Sequence, residues 1–332
     1  MTRVLALVES PAQLLNAVEW GHVSGEDVHI VQLAPTDGLT RFQMQRVAEH
    51  ARKAGFEVGW SECRIGFAAQ PRALAALAPL VRAADKIVIG DPFSGLIQLL
   101  LNVARSVPIV VVDDGTATVR YAEQWASGAP LVRWHLARRK PGEGAAKPTD
   151  GVSKLSLLVG RTAFKRLGNR STAVSLFTAM PVRPRGLPVT PNEYAWVRSH
   201  FAEPEVLPGT DLMGSSLVES GVVQAEPYLA GVARLVAERD VRRYLPHRKE
   251  SAEKLRRIED LGVELVRPDL PMEMWARANP IGSTVLSFPS TVLITLPLVL
   301  DGLGVSVEKV SIDDGWFAAD AADSARDFVR DI

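Results

Sequence analysis

Short apolar runs alternate with amphipathic segments through the first part of the chain. The runs are rich in β-branched residues, which is typical of strands buried on both faces of a parallel sheet. They are Val4–Val8, Val28–Leu33, Glu57–Trp60, Lys86–Ile89 and Ile109–Val112. Between them lie predicted helices, one starting at Leu14 and others over Arg41–Ala54, Pro71–Ala84 and Gly95–Ala104. Repeated strand–helix units predict a doubly wound parallel sheet.

The alternation stops at Trp125, and the chain to about Pro191 is rich in Arg, Lys, Gly and Pro. We interpret residues 125–180 as a basic insertion in the first domain and Met180–Pro191 as an interdomain linker. Basic and apolar residues are mixed in the insertion. Its basic residues include Lys154, Arg161, Lys165, Arg166 and Arg170. This mixture favours a surface helix with a solvated basic face. The alternative is a docking surface for an anionic acceptor or a membrane.

A second strand–helix series follows the linker. Its predicted strands are Glu205–Leu207, Val241–Leu245, Val263–Val266, Thr284–Ser287 and Val305–Val310. We therefore predict two Rossmann-like domains, residues 1–185 and 186–332, that face each other across a cleft holding the active site. A C-terminal helix that packs back on the first domain is an open alternative.

Composition narrows the class of protein. The 332 residues contain 38 basic and 38 acidic side chains, which argues against an extended nucleic-acid surface. The single cysteine, Cys63, excludes an intrachain disulfide and fits a reducing compartment. The apolar run at the start is too short for a signal peptide, and Pro289, Pro297 and Asp301 interrupt the longest apolar region. We expect a cytoplasmic protein, peripheral at the inner face of a membrane if the docking interpretation holds.

Two adjacent carboxylates, Asp113 and Asp114, end the most apolar of the predicted strands and precede Gly115. Ligands of open α/β sheets bind beyond the carboxyl ends of strands, so these acids are candidates for catalysis. Neighbouring carboxylates repel, which raises the proton affinity of one of them and suits a general base. The alternative is a simple turn, and a second Asp-Asp-Gly at residues 313–315 shows how common that use is.

Three elements of the second half are candidates for binding a phosphate. His247, with Arg248 and Lys249 beside it, follows a predicted strand and precedes a helix. Ser290-Thr291 and Gly214-Ser215-Ser216 occupy equivalent strand-to-helix loops. Each has a structural alternative, because such residues also serve as ordinary helix caps.

Several cofactor signatures are absent from the sequence. It has no Gly-x-Gly-x-x-Gly after Val8, no phosphate-binding loop ending in Gly-Lys-Ser/Thr, and no His or Cys set with zinc-ligand spacing. We expect neither a bound metal nor a cofactor.

The order of these motifs resembles the bacterial sialyltransferases, above all the capsule polysialyltransferase and lipooligosaccharide sialyltransferase families. Those families share an acidic-acidic-Gly motif, a histidine motif usually written His-Pro, and a Ser-Ser or Ser-Thr motif. The matching residues here are Asp113-Asp114-Gly115, His247 and Ser290-Thr291. Residues 10–17 and 90–94 resemble two of the family's loops in the first domain. The chain departs from the pattern at the histidine, which follows Pro246 rather than preceding a proline.

The resemblance implies a GT-B-like fold and metal-independent, inverting transfer of sialic acid from a CMP-sugar donor to a glycan acceptor. Asp114 would be the base, Asp113 its supporting acid, and His247 would stabilise or protonate the departing phosphate. The implied donor-binding residues are Ser290, Thr291, Glu273, Gly214, Ser215, Ser216 and Arg248. The implied acceptor-side residues are Ser10, Gln13, Asn16 and Asp91. Because of the reversed Pro-His order, another nine-carbon or CMP-linked sugar stays open as the donor.

Two other functions stay open at this point. One is a nucleotide-sugar hydrolase or 2-epimerase on the same scaffold, which would favour UDP over CMP. The other is a non-catalytic protein that binds a nucleotide sugar for glycan assembly.

Overall fold

The structure is a computed structural model and describes residues 2–66, 68–128, 131, 165–168 and 173–331. The chain divides into two compact units, Met1–Trp196 and Val197–Ile332. Each unit has its own sheet and its own apolar core.

The first unit alternates strands and helices as the sequence predicts as far as Ile109–Val112, and the helix and two strands that follow in this unit were not predicted. Its strands are β1 (Val4–Val8), β2 (Val28–Leu33), β3 (Glu57–Ser61), β4 (Lys86–Ile89), β5 (Ile109–Val112), β6 (Val174–Thr178) and β7 (Val189–Pro191). Its helices are α1 (Pro11–Ser24), α2 (Gly38–Lys53), α3 (Ala69–Ala83), α4 (Gly95–Val103) and α5 (Thr116–Ser127). Among the described residues, the strands form a parallel sheet in the order β3-β2-β1-β4-β5-β6-β7. The order reverses between β1 and β4, which is the switch point where ligands of such sheets bind.

Both faces of this sheet are covered. Leu5 and Leu7 of β1 pack in a core with α3, α4 and α5, while their neighbours Ala6 and Val8 are equally buried on the opposite face. Because both faces of the sheet are buried, no face of these strands meets solvent and none requires polar residues. The strands are therefore continuous apolar runs, and the polar residues collect beyond their ends.

Polar caps start three helices at the carboxyl edge of the first sheet. Ser10, Asp37 and Ser94 precede α1, α2 and α4, and the side-chain oxygen of each accepts a backbone N–H from the first helical turn. Each cap satisfies a donor that the helix itself leaves unpaired. These bonds hold the loops that follow β1, β2 and β4.

The second unit has the same strand–helix alternation. Its strands are β8 (Val206–Met213), β9 (Val241–Leu245), β10 (Glu264–Leu265), β11 (Ile281–Ser287) and β12 (Ser306–Lys309). Its helices are α6 (Ala195–His200), which spans the boundary, α7 (Ala225–Glu238), α8 (Ala252–Glu259), α9 (Met272–Ala278), α10 (Val292–Val299) and α11 (Asp323–Asp331). Among the described residues, the parallel strand order is β10-β9-β8-β11-β12, so the switch point lies between β8 and β11.

The prediction that the first strand of this unit ends at Leu207 is wrong. β8 continues to Met213, with its pairing shifted between Thr210 and Asp211. The Asp211 carboxylate is 1% exposed and accepts two hydrogen bonds from Arg243 of β9, at 2.7 and 2.6 Å, and one from the Gly282 N–H of β11, at 2.7 Å. The Asp211 carboxylate thus bonds β8 to β9 and β11. This polar residue interrupts the apolar run of β8, which explains why the sequence pattern did not predict the strand beyond Leu207.

The interpretation of Met180–Pro191 as an interdomain linker is also wrong. Val189–Pro191 form β7, which pairs in parallel with β6 at the edge of the first sheet. The predicted boundary after residue 185 therefore falls inside the first unit. Proline is tolerated in an edge strand, which explains why a proline-rich segment can join the sheet.

The basic insertion is described only in part. At residues 165–168 the carbonyl of Leu167, which is fully buried, accepts a 2.7 Å hydrogen bond from Tyr121 Oη, and Arg166 donates to the Ala104 carbonyl at 2.6 Å. This short segment packs on the first unit. Lys154, Arg161 and Arg170 lie outside the described residues, so the docking interpretation stays a prediction.

The C-terminal helix α11 packs on the core of its own unit. Val329 is buried in that core, and Arg326 donates a 2.8 Å hydrogen bond to the Ala318 carbonyl. The apolar side chain and the bond to a nearby loop explain this packing. Within the described part of the chain, no helix combines the length and apolar character that a membrane crossing requires.

Candidate active site

Carboxylates from three loops lie at the switch point of the first sheet. Glu9 directly follows β1, Asp91 follows β4, and Asp113 with Asp114 follows β5. β4 pairs with both β1 and β5, so the three loops are neighbours along one edge. The structure thus places the predicted pair of acids with two more, of which Glu9 was not predicted.

Asp113 is clamped by the protein. Its side chain is 2% exposed; one oxygen accepts the Gly115 N–H at 2.9 Å, and the other accepts the Thr178 hydroxyl at 2.8 Å and the Ala179 N–H at 3.1 Å. Burial raises the pKa of this carboxyl, while the same hydrogen bonds act to lower it. Both oxygens are thus engaged inside the protein. Asp113 anchors the end of β5 to the end of β6.

Asp114 is held differently and is partly exposed. Its backbone N–H donates to the Thr118 hydroxyl at 2.8 Å, which fixes the residue, while its carboxylate lies 3.5 Å from the Ser10 hydroxyl. The next residue, Gly115, has φ 61° and ψ −121°, a conformation open to glycine because it lacks Cβ. The tight turn therefore aims the two adjacent acids at different surroundings.

The pKa of Asp114 is raised from 3.8 to about 8. Burial is the largest cause, followed by the negative charge of Asp91, with Asp113 and Glu9 adding to it, while a hydrogen bond from Gln13 opposes the rise. A carboxyl with this pKa holds and releases a proton near neutral pH. That property is typical of a general base or acid.

Glu9 and Arg64 form a supporting pair that sequence reasoning missed. The Glu9 carboxylate pairs with the Arg64 guanidinium and accepts a 2.8 Å hydrogen bond from the Ser94 hydroxyl. Arg64 also donates to the Leu33 and Ala34 carbonyls beyond β2, both at 2.9 Å. Glu9 could have been found, because it is the first residue after the strand at the switch point. Arg64 could not, since its loop carries no pattern that predicts the contact.

Two of the predicted acceptor-side residues are instead buried supports. Gln13 is 3% exposed, and its side-chain oxygen accepts the Glu9 N–H at 2.8 Å. Asn16 is 4% exposed; it donates to the Asp113 carbonyl at 2.9 Å and accepts from the Asn192 amide at 2.9 Å. The Asn16 amide thus links α1 to the ends of β5 and β7, and its acceptor-side role stays a prediction. Ser10 and Asp91 remain partly exposed beside Asp114.

The phosphate-binding candidates of the second unit lie in loops that follow its three central strands. Met213, Leu245 and Ser287 are aligned across β8, β9 and β11. The loops that follow these residues carry Gly214-Ser215-Ser216, His247 and Ser290-Thr291. The predicted residues are thus assembled at one edge, around the switch point between β8 and β11.

His247 is neutral in the free protein. Burial, and then the charges of Arg248 and Lys249, lower the pKa of His247 from 6.5 to about 4. Its Nδ1 accepts the backbone N–H of Lys249 at 3.2 Å, which places the ring proton on Nε2 by inference from the hydrogen bond. The neutral ring is therefore a hydrogen-bond donor. Of the two predicted roles of His247, stabilising the departing phosphate fits the neutral ring. Protonating that phosphate would require a bound anion to raise the pKa of His247.

Ser290 and Glu273 contact neighbouring protein groups. Ser290 Oγ accepts the N–H of Val292, the first residue of α10, at 3.3 Å, while the N-cap residue Thr291 makes no side-chain capping bond. Glu273, in the first turn of α9, accepts a 2.7 Å hydrogen bond from the Thr295 hydroxyl of α10. Thr291 and Glu273 remain partly exposed, and Arg248 is exposed. Ser290 is partly exposed as well, so solvent can reach all four of these predicted donor-binding residues.

Gly214 and Ser215 face the protein. A Cβ atom on Gly214 would lie 2.0 Å from Oε1 of Glu250 and 2.6 Å from Oη of Tyr244, so glycine makes room for buried side chains. Ser215 is 5% exposed, and its N–H donates to Tyr228 Oη at 3.2 Å. Ser215 thus contacts the protein while Gly214 is partly exposed, and their approach to a nucleotide stays a prediction. Ser216 is partly exposed.

The described residues contain no group of three or more His, Cys, Asp or Glu side chains arranged to hold a metal ion. The acids of the first unit are instead bound by backbone amides, hydroxyls and Arg64.

Comparisons with known proteins bear on the fold. The sequence matches no protein-family model and no curated protein. Its structure resembles a putative UDP-N-acetylglucosamine 2-epimerase from Listeria monocytogenes, with a TM-score of 0.52 and 9% identity over 99% of this chain and 88% of that one. Lower TM-scores are found for a UDP complex of MnaA from S. aureus (0.48, 12% identity, 90% and 77% covered) and for MurG from Acinetobacter baumannii (0.39, 12% identity, 100% and 83% covered).

The chain has a GT-B-like fold. The predicted α/β class with two Rossmann-like, doubly wound parallel-sheet domains is thereby confirmed. At such low identity the similarity concerns the fold and does not extend to an activity.

A substitution at Gly90 tests how Gln13 supports the site. A Cβ atom at Gly90 would lie 2.1 Å from Oε1 of Gln13 and 2.4 Å from its Cγ, so Gly90→Ala must displace a buried side chain that bonds to Glu9 and Asp114. We expect the free energy of unfolding to fall by about 1–3 kcal/mol. We also expect the pKa of Asp114 to rise further, because the Gln13 hydrogen bond that lowers it is lost.

Urea unfolding and the pH dependence of activity measure these two effects. Gly95→Ala is the matched control, since within the described part of the chain no atom beyond its own helix and chain neighbours lies within 4 Å of that Cβ position. Wild-type stability and an unchanged pH profile for Gly90→Ala would show that Gln13 does not support Asp114.

Proposed function

We propose that this chain is an inverting, metal-independent glycosyltransferase that moves a sugar from a nucleotide-sugar donor to an acceptor hydroxyl. The observation that carries the proposal is Asp114, a partly exposed carboxyl at a switch point whose pKa is raised to about 8. It is held in place by the buried, fully engaged Asp113 beside it.

In the proposed reaction Asp114 takes the proton of the acceptor hydroxyl. The hydroxyl oxygen forms a bond to the anomeric carbon of the donor sugar, while the bond from that carbon to the phosphate oxygen breaks. The electron pair of the broken bond stays on the phosphate. Attack opposite to the leaving group inverts the anomeric configuration.

Negative charge grows on the phosphate during this step, so hydrogen-bond donors and cations are needed there. The Nε2–H of neutral His247 and the exposed guanidinium of Arg248 suit this role. Ser290 and Thr291, at the start of α10, add backbone N–H groups of a helix N-terminus. Glu273 would bind the ribose.

For the donor we propose CMP-sialic acid or a related CMP-linked sugar, and for the acceptor a glycan. Support for this donor comes from the sequence resemblance, which rests on Asp113-Asp114-Gly115, His247 and Ser290-Thr291. A second candidate is a UDP-sugar 2-epimerase, which the description of the Listeria structure as a putative enzyme of that kind favours.

A calorimetric titration with CMP, CDP, UDP and GDP tests the proposed donor. We expect CMP to bind about tenfold or more tightly than the others, a difference of about 1.4 kcal/mol. Preference for UDP, together with isomerisation of a UDP-sugar without any acceptor, would favour the 2-epimerase. Binding of CMP without turnover of CMP-sialic acid would favour the non-catalytic alternative, and binding of none of the four would exclude the proposal.

The raised pKa of Asp114 predicts a pH profile for transfer. A general base acts in its ionised form, and the ionised fraction rises tenfold per pH unit below the pKa. We therefore expect kcat/KM to rise about tenfold per unit up to pH about 8 and then to level off. The measurement is kcat/KM from about pH 6 to about pH 9. A profile that is flat across this range would mean that Asp114 has an ordinary pKa or is not the base.

A further inference from the structure

A buried polar network lies beneath two loops of the second unit, and the proposed reaction does not use it. Its members are Tyr228, Tyr244, Glu250 and Lys254, with Glu219 at its rim. The Lys254 side chain is 4% exposed and that of Glu250 is fully buried. Burying two opposite charges costs desolvation energy that their attraction often fails to recover. A fold gains little stability from such a pair, so its position between two candidate loops is informative.

Lys254 reaches from helix α8 into the loop after β8. Its Nζ donates a 2.8 Å hydrogen bond to the Ser215 carbonyl and lies 3.3 Å from the Glu219 carboxylate. It also lies 4.1 Å from the centroid of the Tyr228 ring. The ammonium therefore fixes the backbone of the Gly214–Ser216 loop from inside the protein.

Glu250 holds the loop after β9. Its Oε1 accepts the backbone N–H of His247 at 2.6 Å, and its own N–H donates to the His247 carbonyl at 3.0 Å. Its Oε2 accepts the Tyr244 hydroxyl at 2.8 Å and lies 3.2 Å from Lys254 Nζ. One carboxylate thus connects the histidine backbone to the lysine that holds the neighbouring loop.

A second path joins the same two loops. The Ser215 N–H donates to Tyr228 Oη at 3.2 Å, Tyr228 Oη lies 3.0 Å from Tyr244 Oη, and Tyr244 donates to Glu250. Because Tyr244 gives its proton to the carboxylate, Tyr228 is the donor to Tyr244. The bonds run in one direction from Ser215 to Glu250, and such chains strengthen one another. Gly214 permits this arrangement, since a Cβ atom there would collide with Glu250 and Tyr244.

We propose that Glu250 and Lys254 are positioning residues that hold His247 and the Gly214–Ser216 loop in one fixed arrangement for binding the donor phosphate. The proposal rests on the proposed function, since it assigns the network to the same phosphate site. Glu250 acts through the His247 backbone, and Lys254 acts through the Ser215 carbonyl. Neither side chain needs to touch the nucleotide.

A double-mutant cycle on nucleotide affinity tests this assignment. The probe is CMP, or UDP if wild type prefers UDP, and the dissociation constant is measured by calorimetry. We expect Glu250→Gln to weaken binding about tenfold in the wild-type background and less than about twofold in the His247→Ala background. The neutral amide keeps the size of the side chain but cannot accept from its three donors as the carboxylate does. The matched control is Glu253→Gln at the start of α8, three residues after Glu250, which is exposed and should change binding less than about twofold.

A merely structural network would give a different pattern. The melting temperature of Glu250→Gln would fall, while the folded protein would bind the nucleotide as wild type does, and this result would overturn the proposal. Additive effects of Glu250→Gln and His247→Ala would also overturn it, because the two residues would then act independently. If Glu250→Gln does not fold, Tyr244→Phe removes one hydroxyl that reaches Glu250 and should show the same lack of additivity with His247→Ala.

Failure of the proposed function has its own signature. If wild type binds no nucleotide, or if His247→Ala binds it as tightly as wild type does, the phosphate site itself is wrongly assigned. That outcome appears before any Glu250 variant is made. It differs from the outcome that overturns only the positioning role, in which His247→Ala weakens nucleotide binding as expected but its effect adds to that of Glu250→Gln.

Discussion

The Asp114→Asn variant is expected to lose transfer activity by a factor of about 10²–10⁴ while its nucleotide affinity stays at the wild-type level. Asparagine has nearly the shape of the protonated acid but cannot take a proton from the acceptor hydroxyl. The loss therefore falls on the chemical step. Nucleotide affinity is unaffected because the proposed phosphate-binding residues belong to the second unit. Steady-state kinetics and calorimetry on the same preparation measure the two quantities.

Stability gives an independent check on the state of Asp114. Its pKa is 3.8 as an ordinary carboxyl and about 8 in the folded protein, so the folded state binds the proton more tightly. The free energy of unfolding of wild type should therefore fall as the pH rises from about 4 to about 8, whereas Asp114→Asn does not share this decline. We expect the two proteins to melt alike near pH 4 and the variant to melt at the higher temperature near pH 8, as is common when an unfavourable active-site group is removed.

The second Asp-Asp-Gly of the chain supplies the matched control. Asp314 begins a short 3-10 turn and pairs with Arg330 at the surface, where its side chain is 82% exposed. A surface pair of this kind contributes about 0–1 kcal/mol, so Asp314→Asn should change neither activity nor stability measurably. Full activity in Asp114→Asn would remove Asp114 as the base and with it the observation on which the proposed function rests.

The sequence predicts most of the first sheet because its strands are buried on both faces. Val4–Val8 and Ile109–Val112 are pure apolar runs with polar residues immediately after them, and both are strands with the predicted bounds. The same contrast marks the site, since the first polar residue after a buried strand lies at the ligand-binding edge. Applied to β1, this rule would also have selected Glu9.

The strands and contacts that the sequence pattern did not predict depend on proline or on charged side chains. β7 contains Pro191 at the sheet edge, and β8 carries Asp211, whose charge is satisfied by Arg243 from the next strand. Arg64 and Lys254 belong to the same class, because their partners are distant in sequence and neither spacing nor periodicity links them. Such contacts become visible when the tertiary structure places the partners together.

The sequence also did not predict how Asp113 and Asp114 divide their roles. Consecutive residues that leave a strand point in different directions, but the pattern does not say which one meets protein and which one meets solvent. The structure answers this, since Asp113 faces Thr178 while Asp114 stays partly exposed. Asp113 is thus the anchor that the sequence described as a supporting acid.

The Asp113→Asn variant is expected to be less stable than wild type by about 2–4 kcal/mol, in contrast to the same substitution one residue later. Three donors converge on Asp113, namely the Gly115 N–H on one oxygen and the Thr178 hydroxyl with the Ala179 N–H on the other. An asparagine amide must turn its NH₂ group toward one of these sets, which replaces an attraction by a contact between two donors. In a site that is 2% exposed, water cannot take over the lost bonds.

Urea unfolding of the two variants side by side measures the difference. Asp113 joins the ends of β5 and β6, and Asn16 binds its carbonyl. The Asp113→Asn substitution should therefore destabilise the first unit and loosen the loop that carries Asp114. Any fall in activity of folded Asp113→Asn should then appear as a smaller kcat with an unchanged nucleotide affinity. A variant as stable as wild type, but as inactive as Asp114→Asn, would reverse the assignment and make Asp113 the acid that meets the substrate.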